Sequence, residues 1–148
     1  MKKMFIFSVT VFVMLALSGA LQAADPSIIG VWSVPGLQGA EKNKEKWQIE
    51  ISEQNGRLEG KYVKLSTMPA DALCTTCKKE RKDKPLMGMV ILSDMEKEAN
   101  NYYKARVYDV EKGKDYRCTV SLAKPDILKV EACVLFICNS HYWTRVKE

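Results

Sequence analysis

The sequence predicts an all-β domain, an eight-stranded antiparallel up-and-down barrel, and three observations support this fold class. Apolar and polar residues alternate with period two in most segments after residue 27, whereas almost none repeat at helical spacing. Turn residues separate these segments at short intervals, which leaves no room for crossover helices. Closing eight such strands into a barrel also removes the exposed edges of an open sheet.

A predicted hairpin turn joins the second and third of the first three strands. Asn55-Gly56 is a pair that tolerates the positive φ angles of a tight turn between two alternating segments. Gly60, in the middle of the returning segment, indicates a bend or a close backbone approach. The predicted strands are IIGVWSV (28–34), EKWQIEIS (45–52) and RLEGKYVKL (57–65).

The second half of the chain begins with the longest predicted loop, residues 66–84. The strand after it, LMGMVIL (86–92), is nearly all apolar, as expected for a strand that lines an apolar interior or is covered on both sides. Residues 93–101, SDMEKEANN, are predicted to be a polar connection. The remaining strands are NYYKARVYD (101–109), DYRCTVSL (115–122), ILKVEACVL (127–135) and SHYWTRV (140–146).

Residues 1–24 have the three-part layout of a secretory signal peptide: Lys2 and Lys3, an apolar run, then the small residues of SGALQAAD. Cleavage is expected after Ala23 or Ala24, and an uncleaved anchor is the alternative. We therefore expect a periplasmic or secreted protein with one domain, residues 25–148, and no transmembrane segment in the mature chain. The formal net charge of +5 falls to about +3 without the leader lysines, too weak a bias to predict nucleic-acid binding.

Several short motifs, in order, resemble a bacterial family known as domain of unknown function 2147. They are Gly30 and Trp32, KPLMGMVIL from Lys84, YDVEKGKDYRC (108–118), LKV from Leu128 and YWTRV from Tyr142. The resemblance covers nearly all of the predicted domain and implies a lipocalin-like barrel, but it implies no common activity. The chain departs from the family pattern in two places. Val110 replaces a usual proline, and Glu131-Ala132 replaces a usual Arg-Gly, which reverses a charge. If that family position contacts an anionic group, this chain is not expected to do so.

The lipocalin-like plan also implies how one end of the barrel is closed. In that plan a Gly-x-Trp on the first strand is covered by an arginine from the last strand. Here the closure residues are Gly30, Trp32 and Arg145. A guanidinium stacked on an indole contributes about 0.5–2 kcal/mol.

Five cysteines are the most informative residues for the redox chemistry of the domain, because cysteines of an exported protein are expected to oxidise. Cys133 and Cys138 are near enough in sequence to pair, and Cys74 and Cys77 could close a short loop, which leaves Cys118 unpaired and buried as a small apolar residue. Other pairings remain open. A zinc site or a thiol redox centre at Cys74 and Cys77 is a less favoured alternative.

The sequence contains few features that indicate catalysis. His141 is the only histidine, and no nucleophile-elbow, phosphate-loop or zinc-protease motif is present. Asp109, Glu111 and Asp115 cluster at a turn where solvated charges are common. We therefore predict a protein that is not an enzyme, with no metal and no cofactor.

Binding of a small apolar or amphipathic ligand inside the barrel is the favoured function, and an envelope or secreted interaction module that uses the basic Cys74/Cys77 loop is the alternative. An eight-stranded barrel is either filled by side chains or holds one small ligand, so a solid core remains open. The methionines slightly favour a cavity. The residues predicted to point inward and contact a ligand are Trp47, Ile49, Ile51, Leu58, Tyr62, Met87, Met89, Ile91, Tyr103 and Val107.

Overall fold

The computed structural model describes residues 27–37 and 42–147, which form one closed antiparallel barrel. Each strand pairs with the next along the chain and the last pairs with the first, so the predicted fold class is confirmed. The predicted signal peptide lies outside the described residues. The strands are β1 (Gly30–Pro35), β2 (Glu45–Gln54), β3 (Arg57–Leu65), β4 (Val90–Ala99), β5 (Tyr102–Asp109), β6 (Lys114–Lys124), β7 (Ile127–Val134) and β8 (Ile137–Arg145).

The fourth strand differs from the sequence prediction. Residues 86–89 belong to the long connection, where Gly88 has φ +77°, and β4 instead continues through the polar segment that was predicted to be a connection. The register of β4 against β5 shifts between Ser93 and Glu96, and Asp94 there has φ +50°. This irregularity breaks the period-two pattern, and most side chains beyond it are exposed, which explains why apolar alternation could not identify the strand.

The alternating strand directions give the barrel two different ends. The short turns at residues 55–56, 100–101 and 125–126 lie at one end, which we call the sealed end. The connections at residues 36–44, 66–89, 110–113 and 135–136 lie at the other, which we call the open end; of the first of these, residues 38–41 lie outside the described part of the chain. Nearly all long connections are therefore at the open end.

Trp32 and Arg145 are in contact at the sealed end. The Trp32 side chain is fully buried, and its indole N–H donates to the Ile28 carbonyl at 2.9 Å. The Arg145 guanidinium lies 4.2 Å from the Trp32 ring centroid and donates to the carbonyls of Ile29 and Pro125 at 2.9 and 3.1 Å. Gly30 has φ +136°, and a Cβ there would lie 2.7 Å from Arg145 Nη1. A glycine at this position therefore leaves room for the guanidinium.

The long connection between β3 and β4 packs on the β5–β6 turn at the open end. Cys74 and Cys77 are disulfide-bonded and buried, and the Thr76 hydroxyl donates to the Val110 carbonyl. The Lys78 backbone N–H donates to the Tyr108 hydroxyl at 3.1 Å. A Cβ on Gly113 would lie 2.4 Å from the Thr76 carbonyl oxygen, so the turn and the connection are in close backbone contact.

The solid part of the core lies toward the sealed end. Ile51, Val120 and Leu128 are fully buried there, in the same core as Trp32. Gly60 of β3 faces Leu92 of β4 so closely that a Cβ on it would lie 2.9 Å from the Leu92 Cβ. Side chains therefore fill this half of the barrel, and any cavity must be in the other half.

Candidate functional site

A cavity of about 620 Å³ occupies the open half of the barrel. Its deeper wall comes from inward-facing side chains of β2, β3, β4, β5, β7 and β8, which are aromatic or aliphatic. These side chains are Trp47, Ile49, Tyr62, Ile91, Val107, Val130 and Trp143. Trp47 and Tyr62 make an edge-to-face pair with ring centroids 5.2 Å apart, which fixes the position of two aromatic rings of this wall.

The rim of the cavity is polar, and its charges are paired with one another. Lys46 Nζ lies 2.5 Å from Glu111 Oε1 and 4.4 Å from the Trp47 ring centroid. Lys112 Nζ lies 3.3 Å from Asp109 Oδ2, and Asp109 Oδ1 also accepts the backbone N–H groups of Glu111 and Lys112. The rim therefore presents polar atoms with little net charge.

Two further polar side chains of the cavity wall, those of Tyr62 and His141, are uncharged near neutral pH. Burial raises the pKa of the Tyr62 phenol, and the carboxylates of Asp109 and Glu111 raise it further. Burial also lowers the pKa of His141 from its usual 6.5, and Lys112 acts in the same direction while Asp109 opposes it. A neutral phenol and a neutral imidazole are thus available for hydrogen bonding without burying a charge.

The indole N–H of Trp47 is a further polar group of the wall. It is buried and has no hydrogen-bond acceptor among the described residues. A buried donor without a partner costs about 1–3 kcal/mol. Trp47 is therefore a position where an oxygen atom of a bound molecule could improve the hydrogen bonding of the protein itself.

The ten predicted contact residues fall into three groups. Trp47, Ile49, Tyr62, Ile91 and Val107 line the cavity. Ile51, Leu58 and Tyr103 lie in or against the solid core nearer the sealed end. The prediction is corrected for the third group, Met87 and Met89, which lie in the connection before β4 and not on a barrel strand.

Val130, His141 and Trp143 are among the lining residues that were not predicted contacts. Each alternates correctly with its neighbours on β7 or β8, so the period-two pattern of these strands contained the signal. In the sequence, His141 stands out only as the single histidine, and residue 143 only as part of the YWTRV motif.

The cysteines form two disulfides. Cys133 and Cys138 are bonded across the β7–β8 hairpin, with Cα atoms 4.0 Å apart, and Cys74 is bonded to Cys77. Cys118 is a free thiol, 6 % exposed, on the inward face of β6, and burial raises its pKa to about 12. With four cysteines in disulfides, the zinc alternative loses its thiolate ligands. The thiol redox alternative is disfavoured because Cys74 and Cys77 are each only 2 % exposed, which keeps their disulfide away from a partner thiol.

The remaining candidate groups have structural partners. Asp109 and Glu111 make the contacts described above, and Asp115 lies 3.9 Å from Arg81. In the described part of the chain, no group of three or more His, Cys, Asp or Glu residues could hold a metal ion. None of the helical segments within residues 27–37 and 42–147 is long and apolar enough to cross a bilayer.

Comparison with known proteins agrees with this architecture. The structure is similar to that of protein HP1028 from Helicobacter pylori, which is described as belonging to the lipocalin family, with a TM-score of 0.70 and 17 % sequence identity over 82 % of this chain and 84 % of that one. At this identity the likeness shows the fold. No curated protein matches the chain. The family of uncharacterized proteins conserved in bacteria, DUF2147, matches residues 30–145, and the chain therefore belongs to this family.

Proposed function

We propose that this protein is an exported, non-enzymatic binder of one small apolar or amphipathic molecule. The observation that carries the proposal is the cavity of about 620 Å³, which is apolar at depth and open at the end opposite Trp32 and Arg145. Protein pockets for small molecules have volumes of about 300–1,000 Å³, with mostly apolar walls and a few convergent polar groups. The cavity has this composition and size.

The wall and rim define the chemistry of the expected ligand. Aliphatic and aromatic side chains favour a hydrocarbon or aromatic body, since each buried methylene contributes about 0.8 kcal/mol. Because the rim charges are already paired, a ligand with an uncharged polar group, such as a hydroxyl, ester or amide, needs to break no ion pair. Tyr62, His141 and Trp47 offer the hydrogen-bonding partners for that group.

The proposal of binding without catalysis rests on the same groups. A general acid or base needs a titratable side chain that is free to exchange a proton near neutral pH. Asp109 and Glu111 are engaged in ion pairs, and the pKa of Tyr62 is raised by burial away from that range. The lowered pKa of His141 leaves it as the one candidate base of the wall, with no activated nucleophile beside it in the described structure.

Export is proposed from the leader sequence and supported by the disulfides. Disulfides persist in oxidising compartments and are rare in a reducing cytosol. The bonds between Cys133 and Cys138 and between Cys74 and Cys77 therefore agree with a periplasmic or secreted location.

An interaction module built on the Cys74/Cys77 loop is the weaker proposal. Both cysteines are buried against the barrel. Arg81 stacks 4.3 Å from the Tyr108 ring centroid, and Lys82 donates to the Thr75 carbonyl, so two of the basic side chains hold the connection in place. These contacts favour a structural role for this loop.

Fluorescence titration with the uncharged dye N-phenyl-1-naphthylamine tests the binding proposal. We expect saturable enhancement with one site per chain. Val107→Trp, which fills the cavity from the middle of its wall, should weaken binding at least about tenfold by removing space for the dye. Long-chain alcohols such as dodecanol should displace the dye.

Val63→Trp is the matched control. Val63 lies on β3 next to Tyr62, is half-buried and does not line the cavity. This variant should bind the dye like the unmodified protein. Absence of enhancement with the unmodified protein, or equal binding by a folded Val107→Trp variant, would refute an apolar binding cavity.

A further inference from the structure

The β7–β8 hairpin ends in an apolar tip that projects from the open end. Leu135 and Phe136 form its two-residue turn and are 89 % and 100 % exposed, and the flanking Val134 and Ile137 are 55 % and 72 % exposed. We call these four residues the hairpin tip. Turns at such a position are usually polar or contain glycine or asparagine, so four consecutive exposed apolar residues need an explanation beyond folding.

The backbone conformation of the tip also indicates a role beyond folding. Leu135 has φ +56°, a left-handed conformation that glycine or asparagine adopts at little cost and that is unfavourable for leucine. A leucine here therefore weakens the turn and also exposes apolar surface. The Cys133–Cys138 disulfide, directly behind the tip, holds the two strands together despite this unfavourable turn.

The four connections of the open end together carry a net positive charge, although the charges at the cavity rim are paired. The four connections of the open end contain eight lysine or arginine residues and five acidic residues, whereas the three turns of the sealed end contain a single charged residue, Asp126. Leu37, 58 % exposed, adds apolar surface to the same end, and both Leu37 and Val134 also line the cavity. The tip is thus an apolar projection on a basic end of the molecule.

We propose that the hairpin tip docks the open end of the barrel onto an anionic lipid bilayer. Leu135 and Phe136 enter the boundary between headgroups and acyl chains, and the surrounding lysines and arginines face the anionic headgroups. Apolar insertion combined with a basic surround is the combination by which peripheral proteins bind such surfaces.

A bilayer fits this surface better than a protein does. A stable protein interface buries about 1,200–2,000 Å² in total, whereas the apolar surface here is a projecting turn of two residues with two flanking side chains. A bilayer accepts such a projection without a complementary pocket. Docking in this orientation also places the cavity mouth against the bilayer. The significance of that position rests on the proposed ligand binding, whereas docking itself does not.

Co-sedimentation of the full disulfide-bonded protein with vesicles tests the proposal. We expect binding to vesicles of equal parts phosphatidylcholine and phosphatidylglycerol, weaker binding to phosphatidylcholine alone, and a decrease with added salt. Phe136→Ser should lower the partition coefficient at least about tenfold, and Leu135→Ser combined with it should lower it further. Tyr102→Ser is the matched control, since Tyr102 is 41 % exposed near the sealed end, and it should bind like the unmodified protein.

The outcomes separate docking from ligand binding. Phe136→Ser should keep N-phenyl-1-naphthylamine binding, because Phe136 does not line the cavity, and Val107→Trp should keep vesicle binding. No sedimentation of the unmodified protein with the mixed vesicles, or an equal partition coefficient for Phe136→Ser, would overturn the proposal. A dimer in analytical ultracentrifugation that dissociates on Phe136→Ser, without vesicle binding, would assign the tip to contact with a second copy instead.

Discussion

Replacing Arg145 by alanine should destabilise the whole barrel, although the arginine is near the end of the chain. Arg145 stacks on Trp32 and its guanidinium donates to carbonyls of the segment before β1 and of the β6–β7 turn. It therefore connects three parts of the sealed end that are distant in sequence. The substitution also uncovers one face of an indole that is now fully buried.

The magnitude follows from these contacts. Loss of the stacked guanidinium costs about 0.5–2 kcal/mol. The three hydrogen bonds to carbonyls are partly exposed, so water replaces them in the variant and each loss costs only about 0.5–1 kcal/mol. The total is about 2–5 kcal/mol, which corresponds to a decrease of roughly 10–20 °C in the melting temperature for a domain of this size.

Urea unfolding, followed by tryptophan fluorescence and circular dichroism under oxidising conditions, measures this effect. Arg145→Lys should lose about half as much stability as alanine, because it keeps the charge but cannot donate in a fork. Arg57→Ala is the control, since Arg57 is an exposed arginine near the same end, and it should change stability by no more than about 0.5 kcal/mol. An Arg145→Ala variant as stable as Arg57→Ala would refute the closure role.

Three further predictions concern other parts of the barrel. Gly60→Ala should lower stability by about 1–3 kcal/mol in the same assay, because its Cβ would lie 2.9 Å from that of Leu92. Burial alone would raise the pKa of Glu45, but hydrogen bonds from neighbouring side chains lower it to about 2, so its stabilising effect is complete above pH 4.5 and is lost as the pH falls toward 2. Glu45→Gln should reduce this acid destabilisation by about 1–2 kcal/mol after allowance for solvent screening, and an unchanged pH profile between 5 and 2 would contradict the assignment. Maleimide should label one thiol per chain, Cys118, only after unfolding, and rapid labelling of the native protein would contradict its burial.

The sequence predicted the fold because the barrel depends on side-chain alternation and on turn residues, both of which are local. The Asn55-Gly56 turn, for example, joins β2 and β3 as expected, with positive φ at both residues. The polar half of β4 could not be predicted in the same way. Its register shift breaks the alternation, and its pairing with β3 and β5 depends on strands that are distant in sequence.

The position of the cavity along the barrel could not be predicted from alternation either. Alternation predicts whether a side chain points into or out of the barrel, but it does not predict how far along the barrel axis the side chain lies. Ile49 and Ile51 share one face of β2, yet Ile49 lines the cavity and Ile51 is part of the solid core beside Gly30. The depth depends on how far each strand extends past its neighbours, which is set by the register of the closed sheet.

The same eight strands join the two ends of the barrel, but the two ends differ in the length of their connections and in the side chains between the strands. At the sealed end, where the turns are very short, Arg145 stacks on the fully buried Trp32. At the open end, the long connection packs on the β5–β6 turn through Thr76 and Lys78 and leaves the cavity about 620 Å³ of space. On the binding proposal above, a ligand enters the cavity at the end that carries the hairpin tip. A ligand that partitions into a bilayer would then reach the cavity without first crossing water, which is why ligand exchange should be faster from vesicles that the tip can bind.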